Sequence, residues 1–323
     1  MNRYHLVHST EFVYDGPVYE SYNEVRLRPI HDDRQSCISF RLVTKPSSRG
    51  ASFKDGYGNW VHHFNILPNH RHLHVEAESV VLVHEVPEPR LGGLRLSDLD
   101  ATRAELAEDN FDWIASSPYV PRLPGFEEIC LAAEQGCDGT AAGFVQSASD
   151  FIHGNFTYQK GATHVHSSAA DSLALRAGVC QDFAHVLIGV LRLRGLPARY
   201  ISGYLVPGAE ASPDAKQEEV IGGQASHAWV EAFLPDSGWI GFDPTLGKPV
   251  GFRHIRVACG RDYGDVPPVR GVYKGHAGQH LSVDVRVRPA LDEVGCETLS
   301  ESCAAPEEIL RPAELPQQAS QQQ

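Results

Sequence analysis

Three residues of this chain have types suited to covalent catalysis, and each stands at a marked place: Cys180, His227 and Asp243. A cysteine nucleophile needs a base to hold it as thiolate, and an imidazole base needs an acceptor to fix its tautomer. Cys180, His227 and Asp243 supply the three parts in that order. Taken alone, a cysteine is more often a buried structural thiol than a nucleophile. What matters is whether the surrounding elements can bring the three together.

Cys180 lies in Gly178-Val179-Cys180-Gln181-Asp182-Phe183-Ala184-His185. Phe183, Leu187, Val190 and Leu191 then recur at the spacing of one apolar helix stripe, and Gly195 and Pro197 close it. Cys180 therefore opens a core helix, where unpaired N–H groups and the positive end of the dipole favour a thiolate. That dipole contributes only ~0.3–1 kcal/mol at an exposed site and up to ~2 when partly buried, so a paired imidazolium is the stronger cause. His227 begins an alternating strand, Ser226-His227-Ala228-Trp229-Val230-Glu231-Ala232-Phe233-Leu234, on one face with Trp229, Glu231 and Phe233. Asp243 ends the next strand, where Pro244 terminates the ladder. A tight loop pairing Leu234 with Trp239 would put Asp243 beside Val230, so the strand geometry predicts a wide loop or bulge between residues 232 and 238.

Residues 1 to about 90 read as an antiparallel β domain. Alternation is visible in residues 4–14, 22–28 and 38–42, and the run 73–83 ends in a nearly continuous apolar stretch, with a turn at Asp15-Gly16-Pro17 and a glycine-bearing hairpin through Asp55-Gly56-Tyr57-Gly58-Asn59. That spacing predicts a sandwich. Pro and Gly cluster at 87–93, a linker. Helical patterns follow near 98–115, 126–135 and 140–153, and Ser168 with Asp171 has the spacing of a capping box for a short helix that Gly178 ends. Strands return at 200–206, 225–234 and 239–243, with a polar, glycine-rich mobile loop expected at 207–223. Residues 281–287 alternate and could add a sheet edge. The 289–323 segment, rich in Glu, Ser, Ala, Pro and Gln, reads as a disordered tail. The domain plan is thus 1–90, 95–288 and 289–323.

At 323 residues with 42% hydrophobic and 21% charged content, the chain can bury a sizeable core. Its net charge of −13, with no Lys/Arg block, argues against nucleic acid as a partner. No apolar run approaches the ~18–20 residues that span a bilayer, and the start lacks the apolar core of a signal peptide, so a cytoplasmic location off the membrane is expected. Seven scattered cysteines without a C-x-x-C pair suggest neither a disulfide framework nor a thiolate metal site.

The Cys180 octapeptide, the following Gly195-Leu196-Pro197-Ala198-Arg199-Tyr200-Ile201-Ser202-Gly203-Tyr204, then His227-Ala228-Trp229-Val230-Glu231 and Gly241-Phe242-Asp243-Pro244-Thr245 resemble the bacterial transglutaminase-like superfamily. Tyr22-Asn23-Glu24 and the Asp55–Asn59 hairpin resemble the β domain that precedes this core in many bacterial members. The resemblance covers residues 1 to about 288. It implies an α+β fold, an N-terminal antiparallel β domain followed by a core related to papain-like cysteine peptidases. It also implies roles: Cys180 nucleophile, His227 general base and then acid, Asp243 orienting the imidazole, and a thioester acyl-enzyme formed from a peptide or protein amide. Water as acceptor makes a peptidase or amidase, the favoured outcome; an amine makes a protein-glutamine transglutaminase. A non-catalytic binding module of the same fold is the alternative from another class, and the complete triad argues against it. The Cys180 N–H would meet the oxyanion, and Tyr158 is the candidate side-chain donor, although a core aromatic is an equal reading. No calcium-binding loop is visible, and no cofactor is expected.

Other polar residues have plainer readings. Asp182 and His185 suit local hydrogen bonding or helix packing. His62, His63, His70, His72 and His74 cluster, yet no acid or cysteine completes a ligand set, and 17 histidines make chance grouping easy. The segment 261–271, also similar to a stretch found in these bacterial proteins, could line a substrate cleft or form an ordered surface loop.

Overall fold

The computed structural model describes residues 2–84, 93–206 and 226–290. The linker at 87–93 falls almost wholly outside them, as do the loop at 207–223 and the tail beyond 290. Among the described residues no helix is long and apolar enough to cross a membrane.

The N-terminal alternation becomes β1 (Asn2–Val25), β2 (Gln35–Lys45), β3 (Gly50–Lys54), β4 (Trp60–Ile66) and β5 (His70–Val83). Every second residue from Tyr4 to Thr10 is buried, as the two-residue period of a half-buried strand requires. The expected turn at Asp15-Gly16-Pro17 does not reverse the chain. β1 instead changes partners there: residues 2–13 pair with β5, residues 21–25 with β4, and the β5 ladder shifts between Val13 and Val18. Pro17 has no N–H to give to a ladder, so the pairing breaks while the strand runs on. The two halves fold over a shared core of Tyr14, Val18, Val25, Phe64, Ile66, Leu73 and Val75, with the Phe40 and His62 rings 4.8 Å apart. The sandwich-like domain is therefore one bent sheet, ordered β2-β5-β1-β4-β3 along its main path.

The core begins with α1 (Leu96–Asp109), α2 (Phe111–Ile114), α3 (Gly125–Gly136) and α4 (Ala141–Asn155). Then come β6 (Thr157–Tyr158), α5 (Ala169–Leu175), β7 (Ala177–Gly178) and α6 (Cys180–Arg194). α6 is the central helix. Phe183, Val186, Leu187, Ile188, Val190 and Leu191 are all buried, because it is wrapped on nearly every side. α3 crosses it closely: a Cβ on Gly189 would lie 2.2 Å from the Phe126 ring. A second sheet, β11-β10-β9-β8-β12, is built from β8 (Ala198–Leu205), β9 (Ser226–Leu234), β10 (Gly238–Asp243), β11 (Lys248–Pro249) and β12 (His254–Gly260). Ala198, Tyr200, Ala228, Val230 and Ala232 join the core that surrounds α6.

Two final strands, β13 (Val269–Lys274) and β14 (Gln279–Pro289), return to the first sheet and pair antiparallel with β1. The structure thus places 269–289 with the N-terminal sheet, whereas the sequence pattern grouped them with the core. The open edge of β12 is covered by side-chain amides from the β domain. Gln35 receives the Arg256 N–H at 2.9 Å and donates to the Arg256 carbonyl at 2.8 Å. Asn59 does the same for Cys259, at 2.8 and 2.7 Å. Each amide offers one donor and one acceptor side by side, as a neighbouring strand would.

Candidate active site

Cys180 is the first residue of α6 and is half-buried. Its approach is built by a small parallel pairing in which Tyr158 of β6 faces Gly178 of β7, and Gln159 N–H donates to the Gly178 carbonyl at 2.8 Å. The helix start is capped by Asp182. Its Oδ2 accepts the Val179 N–H at 2.8 Å and the Thr163 hydroxyl at 2.6 Å. A Cβ on Gly178 would lie 2.5 Å from that same oxygen, so glycine leaves the cap its space. Gln181 donates to the Val165 carbonyl at 3.2 Å, giving the segment before α5 a second tie to the helix start.

His227 and Asp243 come from neighbouring strands, and their register differs from expectation. Leu234 pairs with Gly238, not Trp239, through a short turn in which Ser237 N–H donates to the Leu234 carbonyl. Gly238 takes the left-handed conformation (φ 73°) that such a turn needs. The ladder then runs unbroken to Phe242 opposite Val230, with neither wide loop nor bulge. Continuing that register puts Asp243 beside Trp229, on the same face as His227 and one diagonal step away. A one-residue change in turn length removes the need for a bulge.

The contact is short. His227 Nε2 donates to Asp243 Oδ2 at 2.7 Å, and both side chains are essentially excluded from solvent. The same oxygen accepts a second N–H, from His254 Nε2 at 3.0 Å, while Oδ1 accepts the Thr245 and Leu246 amides at 2.9 and 3.2 Å. Burial alone would raise the Asp243 pKa; the charge and hydrogen bond of His227, followed by the hydrogen bond of His254, lower it well below the usual carboxylate range. For His227, burial works against the charged form, but Asp243 and then Cys180 outweigh it and raise its pKa. With Nε2 committed to Asp243, the buried Nδ1 has no hydrogen-bond partner of ordinary geometry. Cys180 is the other side chain that acts on this imidazole. Apo active sites commonly hold such contacts long, tightening them only when substrate binds.

Tyr158 lies beside this group, its ring edge-on to Phe183 at 6.3 Å. Burial raises its pKa, and Cys180 and Asp182 add to the effect, so the phenol keeps its proton. Tyr200 of β8, fully buried, feels Cys180 in the same way. His185 packs between the Tyr119 and Tyr200 rings and accepts the Tyr263 N–H at 3.1 Å. The 261–265 segment is thereby fastened to α6. His72 and His74 both approach Glu11 across the first sheet, at 3.7 and 2.8 Å, and Glu76 comes within 3.9 Å of His74. Among the described residues, His227, Asp243 and His254 are the group close enough to hold a metal ion, their ligand atoms within 4.8 Å of one another. The two N–H···O bonds at 2.7 and 3.0 Å account for that proximity without one.

His254 is the site neighbour that sequence reasoning passed over. It lies outside the motifs quoted above, at the start of β12, a strand buried along its whole length that shows no two-residue alternation. Nothing in a list of 17 histidines marks the one that shares an oxygen with His227.

Comparison with known proteins agrees with this architecture. Residues 4–82 match the bacterial transglutaminase-like N-terminal region, and residues 131–244 match the transglutaminase-like superfamily. The uncharacterized protein ML0607 of Mycobacterium leprae is 35% identical over 288 residues, covering 89% of this chain and 99% of that protein. A protein-glutamine gamma-glutamyltransferase of Pseudomonas aeruginosa is 34% identical over 97 residues, 29% of this chain and 14% of that protein. Among solved structures, one described as “a Putative Cysteine Protease from Cytophaga hutchinsonii” superposes with a TM-score of 0.65 at 21% identity, covering 90% of this chain and 91% of that one. The chain belongs to the transglutaminase-like superfamily, with the bacterial transglutaminase-like N-terminal region ahead of its core.

Proposed function

We propose that this protein is a cysteine-dependent amide-bond hydrolase, a peptidase or amidase acting on peptide or protein substrates. The observation that carries the reading is the buried His227–Asp243 pair, which leaves Nδ1 of a strongly supported imidazole to the thiol at the head of α6. Nδ1 takes the Cys180 proton, and Sγ attacks the amide carbonyl. The Asp243 carboxylate stabilises the imidazolium so formed. Collapse of the tetrahedral intermediate breaks the C–N bond, and the Nδ1 proton leaves with the amine. A thioester remains. Water, deprotonated by the same nitrogen, then releases the acid and restores the thiol.

The oxyanion would be met by the Cys180 N–H, which as the first helical amide has no acceptor within its helix. Tyr158 is the proposed second donor, supported by a phenol that burial keeps protonated beside the nucleophile. Hydrolysis is favoured over transfer because water is the default acceptor of a thioester, whereas an amine competes only when it is held in place. Acyl transfer is the second reading, and the match to the glutamyltransferase of Pseudomonas aeruginosa favours it.

The test is alkylation by iodoacetamide followed by trapping of acyl adducts. Cys180 should label faster than the other cysteines, and His227→Ala should slow it at least tenfold. Labelling of Cys180 at the rate of the other cysteines, unchanged by His227→Ala, would exclude the enzyme reading. Mass spectrometry of a Cys180 adduct formed from a peptide library, with and without added amine, separates the two acceptors. Release of free acid in the presence of amine supports hydrolysis, and release of the amide supports transfer.

A further inference from the structure

His254 comes from β12, which is separated from β10 by β9 and β8 in the sheet order, yet its side chain reaches the carboxylate at the end of β10. We propose that His254 is a positioning residue for the reaction: a neutral imidazole whose Nε2–H clamps Asp243 in the orientation that serves His227. The proposal rests on the enzyme reading proposed above and adds to it a residue outside the Cys180, His227 and Asp243 motifs.

The tautomer follows from the hydrogen bonds. Gly251 N–H donates to His254 Nδ1 at 3.3 Å, so Nδ1 is bare and the proton sits on Nε2. Nε2–H then donates to Asp243 Oδ2 at 3.0 Å. The ring is buried, and burial holds it in the uncharged form against the pull of Asp243. Its place is set by Trp229, whose ring it meets edge-on at 5.1 Å, and by the tight turn in which His254 N–H donates to the Gly251 carbonyl at 3.0 Å.

The carboxylate has two ends to secure. Oδ1 is tied to main-chain amides at Thr245 and Leu246, which cannot move without the turn after β10. Oδ2 is tied to His227, the ring that must exchange a proton with Cys180, and to His254, which exchanges nothing. Among the described residues, the titratable side chains bonded to Asp243 are these two imidazoles, and Cys180 acts on His227 from the head of α6. With His254 in place, Oδ2 stays aimed at His227 Nε2 whichever way the proton on the far nitrogen moves. Without it, one bond alone holds that end of the carboxylate, and the imidazolium loses support.

Two variants separate positioning from packing. His254→Phe keeps a ring against Trp229 but has no N–H; His254→Gln presents an amide N–H to the same oxygen. The measurement is the alkylation rate of Cys180 by iodoacetamide as a function of pH, on protein shown by circular dichroism to be folded. The alkaline edge of the reactive plateau reports proton loss from His227. It should fall by about one pH unit in His254→Phe and return to the wild-type position in His254→Gln. An unmoved edge in His254→Phe, or equal shifts in both variants, would overturn the clamp. Should the phenylalanine variant not fold, nitrogen-15 histidine spectra of the wild-type protein decide the matter. A bare Nδ1 and protonated Nε2 on His254 at neutral pH are required; the opposite tautomer or a charged ring refutes the proposal. Failure of the enzyme reading has a different signature. The wild-type Cys180 would then show no plateau and no response to His227→Ala.

Discussion

Four N–H groups converge on the Asp243 carboxylate, which explains how a fully buried acid stays ionised where burial alone would neutralise it. The consequence at the level of single residues is a division of labour between the two nitrogens of His227, one fixed and one available. Tyr158 tests the other half of the site. If its hydroxyl meets the developing oxyanion, Tyr158→Phe should slow acyl-enzyme formation by about 10²-fold, the usual effect of removing one such donor. Alkylation by iodoacetamide forms no oxyanion and should keep its wild-type rate in that variant; equal loss in both assays would assign Tyr158 to the core instead. Single-residue chemistry was legible where a residue stood at an element boundary. Cys180 heads a helix because the apolar stripe beginning at Phe183 demands one, and Asp243 ends a strand because Pro244 cannot continue it. His254 and the Thr163–Asp182 bond depend on contacts across the fold, which no local pattern records.

Strand register decides more of the site than strand existence does. The positions of β9 and β10 could be read from alternation, but their pairing depends on whether Leu234 meets Gly238 or Trp239, and one glycine in a left-handed conformation settles that. Their alternation also places a charged residue on the inner row, where Glu231 is wholly buried in β9. Its Oε2 accepts two bonds from Arg199, at 2.8 and 2.6 Å, and its Oε1 accepts one from Arg256 at 2.8 Å. Arg34 of the β domain approaches the same oxygen to 3.9 Å, and Arg256 in turn pairs with Asp32. One carboxylate therefore joins strands β8, β9 and β12 to the segment ahead of β2. Glu231→Gln would leave buried guanidinium groups short of their counter-charge and should destabilise the fold by about 3–5 kcal/mol. Urea unfolding monitored by tryptophan fluorescence measures this. A change under 1 kcal/mol would mean that solvent reaches the cluster.

For the molecule as a whole, buried histidines set the response to acid. His8, bonded to the Tyr204 hydroxyl at 3.0 Å, is pushed down to about 4 by burial against the pull of Asp284. His185 is pushed down to about 3 by burial, with Arg192 adding to it. An unfolded histidine titrates near 6.5. Below that pH the unfolded chain binds protons that the folded one refuses, so stability is complete above 6.5 and declines as pH falls toward 4. Each group takes away up to about 1.4 kcal/mol per pH unit. His227 has the opposite sign: its raised pKa contributes fully below 6.5 and is lost only as pH rises through the folded value. Urea midpoints at pH 7, 6 and 5 should fall progressively, and His8→Gln should flatten that slope by one proton's share. A flat wild-type profile would show that these rings titrate freely in the folded state.

β1 also has a consequence in time. Its first half is flanked on one side by β5, with Tyr4 opposite Val81, and on the other by the far more distant β14, with Tyr4 opposite Pro289 and Ala290 N–H donating to the Arg3 carbonyl. On a ribosome β1 emerges long before β14, so one of its edges has no partner until the chain has been made as far as Pro289. Contacts of such sequence separation form slowly, and an unpaired edge is open to other chains in the meantime. On a ribosome the N-terminal sheet therefore cannot close before β14 is made, by which point α6 and its strands have already been synthesised.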